Sequence, residues 1–113
     1  TLELGATTFA HICAACHQAS GQGIPGQFPP LAKSDYLAKS SKETIIGHVL
    51  HGLQGPVAVN GTTYNGVMPP MSFLSDAEIS AALTYARASF GNQLSAVAPA
   101  EVAKVRGQTA SAP

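Results

Sequence analysis

Apolar residues recur along this chain at helical spacing in several stretches and at strand spacing in one. Across 3–16, "ELGATTFAHICAAC", the residues Leu4, Phe9, Ile12 and Cys13, with Cys16, fall at roughly helical intervals, uninterrupted by Pro. This pattern predicts an amphipathic helix running into the first cysteine. In "SSKETIIGHVLHGL", 40–53, Ile45, Val49 and Leu53 share a face, with Ile46 and Leu50 beside them. Ser41 is placed to cap that helix, with Thr44 where a capping box would carry Glu or Gln, and Gly52 or Gly55 is placed to end it. A short helix is predicted over 34–39, capped by Ser34 or Asp35. The clearest helix is "SDAEISAALTYARASF", capped by Ser75, with Asp76 and Glu78 at the positive end of its dipole and Gly91 to stop it.

The period shortens to two in "PVAVNGTTYNG". Val57 and Val59 alternate with Ala58 and Asn60, and Asn60-Gly61 is a strong hairpin signal, so a small two-stranded ribbon is expected. "VMPPMSF" cannot be helical through its prolines. The Gly- and Pro-rich 18–31 is loop, long enough to be uncomfortable unless it wraps around something. Beyond 92 the chain is Ala-rich, with "PAEVAKVR" as a helical candidate and "GQTASAP" as a frayed end.

At 113 residues this is one small domain. Its 45% hydrophobic content includes many Ala, with four Phe, three Tyr and no Trp, so large core side chains are scarce and a bound cofactor would help fill the interior. Six Lys and Arg balance six Asp and Glu. No basic stripe suggests nucleic acid, and weak electrostatic steering leaves apolar contact to dominate docking. No apolar run approaches a membrane span. Thr1 leads straight into a helical segment without a signal-peptide pattern, as expected of a mature protein or of a domain cut from a longer one.

The two cysteines, Cys13 and Cys16, stand three positions apart, followed at once by His17. A redox disulfide of the thioredoxin type needs a βαβ context and a thiol at a helix N-terminus. Here the pair closes a helix, and no βαβ pattern exists. A zinc site would join the thiols to His48 and His51, whose spacing is tighter than the usual finger, and would leave His17 without a purpose. The third reading is C-x-x-C-H, the signature of covalent haem attachment. Each thiol adds across a haem vinyl group, and the next residue turns its imidazole onto the iron.

That reading calls for a second axial ligand and an acceptor for the other ring nitrogen. Met68 and Met71 are the only methionines and flank "PP". A thioether suits haem iron, and a His/Met pair raises the reduction potential into the range of electron carriers. Met68 leaves more chain before Ser75 and is the favoured ligand; Met71 is a packing residue or the second choice. The carbonyl of Pro29 or Pro30 is the natural acceptor for the His17 ring N–H. His11, His48 and His51 read as helix-face or surface histidines, with bis-His ligation through His48 or His51 as the fallback. Tyr64 and Asn65 either reach a haem propionate or close the hairpin. Tyr36 and Phe28 either line the pocket or seal a loop, and Lys33, Lys39 and Lys42 are solvated charges or a modest positive patch.

Over 1–92 these residues resemble the class I c-type cytochromes. "CAACH" opens the haem site, "PPL" stands at the family's Pro-x-Leu turn, and "VMPP" with "LSDAEISAALTYAR" resembles the axial-Met loop and C-terminal helix. Gly5, Phe9 and Tyr85 fit the family's crossing of first and last helices. The resemblance implies a small all-α fold, three to four helices around one haem c bound through Cys13 and Cys16, with a short β-hairpin. Residues 93–113 would then be an extension, either a docked helix or a linker.

More narrowly, "GQGIPGQFPPLAKSDYL" and "GPVAVNGTTYNGVMPPMSFLSDAEI" are similar to cytochrome c domains fused to copper-containing nitrite reductases, and to free periplasmic cytochromes of that subgroup. This implies a carrier in a denitrifying respiratory chain. Electrons would come from a quinol-linked donor or another cytochrome and pass to a type 1 copper centre in a partner or fused domain, with catalysis elsewhere. Haem attachment implies an oxidising, extracytoplasmic location such as the bacterial periplasm. The competing class is a small-ligand haem protein, peroxidase-like or gas-sensing. It needs an open or labile sixth position and a distal acid–base group that only a spare histidine could supply.

Overall fold

The computed structural model describes residues 2–18, 20–24 and 30–110, with backbone alone at 2, 15, 16, 65–67 and 108–110. Helix α1 (Leu2–Thr8) widens into a π-helical turn, Phe9–Cys13, before α2 (Ala14–His17) resumes α geometry. The Ala14 N–H bonds to the Phe9 carbonyl five residues back. Such a turn inserts one residue into the helix and rotates everything after it. Here it falls where the chain passes from packing residues to the Cys-Ala-Ala-Cys-His motif.

Helix α1 packs against α5 (Asp76–Ala88). Their crossing depends on Gly5. A Cβ there would run into the Ala81 carbonyl oxygen and lie 3.0 Å from the Tyr85 Cβ. One turn on, the ring of Phe9 meets Tyr85 and Phe90 at centroid distances of 5.5 and 5.2 Å. Gly5, Phe9 and Tyr85 therefore do meet at the crossing. The three rings supply much of the bulk that the Ala-rich helices lack.

Three helix starts carry the caps that their sequences offer. Ser34 accepts from the Leu37 N–H at α3 (Asp35–Lys39), and Ser41 from the Thr44 N–H at α4 (Lys42–His51). Ser75 and Glu78 form a full capping box on α5. Helix α4 stops one residue short of Leu53. Gly52 takes φ +79°, and a Cβ on it would lie 2.5 Å from the Met68 carbonyl oxygen. The chain turns there, so Leu53 opens a strand instead of closing the helical face.

The hairpin is longer than the alternation around Val57 suggests. Strand β1 (Leu53–Val59) pairs antiparallel with β2 (Thr62–Met68), from Val59 opposite Thr62 to Leu53 opposite Met68. Asn60 (φ +51°) and Gly61 (φ +82°) make a two-residue type I′ turn. Asp35 holds the hairpin tip to α3: its Oδ1 accepts from the Asn60 N–H, and its own N–H donates to Asn60 Oδ1.

Helix α6 (Pro99–Ala110) folds back onto α4 and α5. Its Val102 and Val105 join Ile46, Leu50, Ile79 and Leu83 in the core. The segment leading to it is tied to α5 through the Thr84 hydroxyl and Val97 backbone, and through Arg87 Nε to the Ser95 carbonyl. Just before it, buried Asn92 donates to the carbonyls of Leu31 and Ala86 and accepts from the Ser34 N–H. That amide anchors segment 31–34 to the end of α5.

Candidate functional site

Beneath the hairpin lies an apolar cleft with about 860 Å³ of empty space, its open mouth included. One part of the lining comes from the N-terminal helix, through Phe9, Cys13 and His17. These residues are four apart and straddle the π-helical turn. Buried His17 is the last residue of α2. Gln18 then leaves the helix at φ +69°, and the Gly23 N–H returns to the His17 carbonyl at 2.9 Å. The Gly21 carbonyl accepts from the N–H groups of both Leu31 and Ala32, which closes the loop.

A further part is the hairpin face. Residues directly opposite in an antiparallel pair project to the same side. The register therefore puts Leu53, Met68, Val57, Tyr64 and Val59 on one face, and all of these except Tyr64 line the cleft. Met68 ends β2 and is half-buried, followed by exposed Pro69 and Pro70. Met71 also reaches the cleft, but it is buried within the core and its N–H donates to the Val49 carbonyl at 2.7 Å. Helix α5 contributes Ile79, Ala82, Leu83 and Ala86 at helical spacing, and Pro30, Leu31 and Ser34 complete the rim.

Cys13, His17, Pro30 and Met68, read from the sequence as site residues, thus share one cleft. Cys16 lies in α2, with its side chain outside the described residues, and Pro29 and Phe28 fall outside them altogether. Tyr64 is buried on the cleft-facing side of the hairpin without being part of the lining. Among the described residues, no group of three or more His, Cys, Asp and Glu side chains gathers to hold a metal ion.

Tyr36 takes the first of its two expected places, at the pocket, and brings His48 with it. His48, expected on a helix face or at the surface, lines the cleft together with Tyr36. The Tyr36 hydroxyl and His48 Nε2 lie 2.7 Å apart, and their rings stack at 5.9 Å. Burial holds the His48 pKa below the usual imidazole range, which favours the neutral ring. The signal was present: His48 sits between Ile45 and Val49, at the spacing of the buried face of α4. His51, one turn on, is exposed.

The chemistry of this arrangement is specific. A thiol, an imidazole and a thioether enter an almost wholly apolar chamber from a helix and a hairpin, with one neutral polar pair beside them. Sulfur and imidazole donors in an apolar cleft suit a flat, apolar, iron-bearing ring with few polar groups. The residues present fit haem.

Comparison with known proteins agrees. The family model described as cytochrome c matches residues 2–89. Two forms of cytochrome c-552 from Thermus thermophilus are each 47% identical over 91 residues; the matches cover 78% of this chain and 69% and 61% of theirs. The cytochrome c subunit of a quinone-dependent alcohol dehydrogenase from Gluconacetobacter polyoxogenes is 28% identical over 116 residues, covering 90% of this chain but only 22% of that subunit.

Proposed function

This chain belongs to the cytochrome c family, electron-transfer modules with covalently bound haem c, and from that premise we propose that His17 and Met68 are its axial ligands and Cys13 and Cys16 its points of attachment. The observation that carries this reading is that Cys13, His17 and Met68 line one apolar cleft. Haem c supplies reversible one-electron cycling between Fe(III) and Fe(II). The chain's own residues set the terms of that cycling. His17 is held at a helix end by its backbone, and a carbonyl of Pro29 or Pro30 is the proposed acceptor for its ring N–H, which would fix the ring's orientation. Met68 offers a soft thioether from a strand end stiffened by two prolines. The apolar lining excludes water and lowers the local dielectric. Tyr64 is the proposed donor to a haem carboxylate. With His17 and Met68 both holding the iron, no side of it would be left for a substrate, and the chain would exchange electrons with a docked protein.

The partner is a redox protein or a fused redox domain. Exposed Pro69 and Pro70, with Phe73 70% exposed close behind, support an apolar and short-lived docking patch next to Met68. A neutral net charge agrees with that. The relatives include a cytochrome subunit of an alcohol dehydrogenase, which supports service to a larger oxidoreductase. The loop sequences at 21–37 and 55–79 favour a type 1 copper centre, as in nitrite reductase, as the acceptor within a denitrifying respiratory chain. Bacterial c-type cytochromes are usually extracytoplasmic, and no described helix is long and apolar enough to cross a membrane. The periplasm is the proposed location.

The test is the absorption spectrum of the ferric and dithionite-reduced protein. Sharp reduced bands, with the weak red ferric band of a methionine ligand, are expected. Haem bands without the red feature would instead indicate a bis-His centre through His48, or an open sixth position and a small-ligand protein.

A further inference from the structure

Met68 ends β2, and the chain must then cross to α5 without regular structure. Its backbone has few partners of its own on the way: the Met71 N–H bonds to Val49, and the Leu74 N–H turns back to the Met71 carbonyl. Met71 and Leu74 are packed in the core, and further polar support comes from Arg106, in α6. Nη1 donates to the Ser72 carbonyl at 3.0 Å, Nη2 to the Leu74 carbonyl at 2.8 Å, and Nε to Asp76 Oδ1 at 2.9 Å. Three donors of one planar guanidinium thus hold three points within five residues, all between Met68 and the first turn of α5. Backbone carbonyls at 72 and 74 would otherwise turn to water, which has no geometric preference to impose.

The guanidinium is itself well seated. Val102 and Val105, on the same helix, are locked in the core, so Arg106 projects from a rigid base. Asp76 serves twice: it lies in the first turn of α5 and anchors the Nε. The family match ends at residue 89, so this clamp comes from a segment outside the matched cytochrome unit.

We infer that Arg106 is a positioning residue for the methionine ligand, clamping the segment that follows Met68 so that its sulfur stays on the iron. The inference rests on the His17/Met68 reading above. An exogenous base such as imidazole binds ferric iron only when the thioether is off, so its apparent affinity scales with the population of that open state. A fork of donors cannot be matched by an ammonium, which is a compact point charge.

The experiment is imidazole titration of the ferric holoprotein, followed by loss of the red methionine band, in wild type, Arg106→Ala, Arg106→Lys and Val102→Ala. Arg106→Ala is expected to lower the apparent Kd for imidazole about tenfold, the effect of about one net hydrogen bond to a charged donor. Arg106→Lys should fall between it and wild type. Val102→Ala removes core packing from the same helix while leaving the Arg106 hydrogen bonds to 72–76 in place, and it should weaken global stability with a much smaller effect on imidazole. An unchanged Kd in Arg106→Ala, with the red band present in wild type, overturns this inference alone. An equal shift in Val102→Ala does the same, because the effect would then be general loosening. Absence of the red band from wild type overturns the ligand reading and this inference with it.

Discussion

Replacing Asn92 by Ala should destabilise the holoprotein by about 3 kcal/mol. The side chain is 7% exposed and makes three hydrogen bonds, to the carbonyls of Leu31 (2.7 Å) and Ala86 (2.9 Å) and from the N–H of Ser34 (3.2 Å). Losing a partner from a buried polar group costs roughly 1–3 kcal/mol. The Ala86 carbonyl and the Ser34 N–H are enclosed, whereas the Leu31 carbonyl is near enough to the surface for water to replace part of the loss. Two full penalties and a fraction of the third give about 3 kcal/mol, which in a domain of this size lowers Tm by roughly 10–20 °C. Urea unfolding followed by far-UV circular dichroism measures it, with an unchanged m value as the sign that the native state stays compact. Asn92→Asp sharpens the test. The carboxylate still accepts from Ser34 but faces two carbonyls it cannot donate to, so it should be at least as destabilising as Ala at pH 7. Its folded pKa would be raised, so stability should return toward acid pH, where the protonated acid can donate again. An Asn92→Ala protein within 0.5 kcal/mol of wild type (about a twofold change in the folding equilibrium), or an Asn92→Asp protein matching wild type at pH 7, would refute the reasoning.

Further outcomes follow from the same contacts. Gly5→Ala gains about 1 kcal/mol of helix propensity, yet it should be net destabilising by roughly 1–3 kcal/mol in urea because the new methyl meets the Ala81 carbonyl; a stabilised variant would mean that α1 can shift freely on α5. Met68→Ala should abolish the red ferric band while the haem bands remain. Met71→Ala should keep that band and lose about 2–4 kcal/mol of stability from the core, and reversed outcomes would exchange the two roles. Burial lowers the His48 pKa, so its neutral form contributes stability that is complete above the unfolded value of about 6.5 and is lost as pH falls through the lower folded value. The urea midpoint of wild type should therefore drop across that window, and that of His48→Gln should drop less; parallel pH profiles would show that the ring does not titrate against burial.

Local signals survived the passage from sequence to structure, and the features missed were ones that tertiary contacts decide. Ser34, Ser41 and Ser75 cap the helices they precede, and Asn60-Gly61 turns the hairpin, because each is decided within a few residues. The motif at 13–17 was equally legible, since covalent attachment demands its spacing. The π-helical turn was not, because no residue type marks it and its consequence appears only when Phe9, Cys13 and His17 are seen on one cleft. Leu53 was assigned to a helix because its spacing allowed it; the tertiary approach of the Met68 carbonyl to Gly52 decided otherwise. His48 was underrated because a histidine on a helix is more often solvated than buried, although its neighbours Ile45 and Val49 marked the inward face.

The roles of Asn92 and Arg106 were hidden for a different reason, which bears on how the site works. The described residues of 30–34 and the segment 69–75 are irregular, so much of their backbone cannot be satisfied by its own ladder and must find partners elsewhere. Segment 31–34 finds two of them in an amide some sixty residues away, and the carbonyls of Ser72 and Leu74 find theirs in a guanidinium some thirty residues on. Both supports come from the chain after α5. A motif can specify which atoms meet the cofactor, but it cannot hold its own loops still. In this chain that task falls to polar side chains beyond the motif-bearing region, so variation in the C-terminal segment should alter ligand retention at the cleft without any change to the residues that line it.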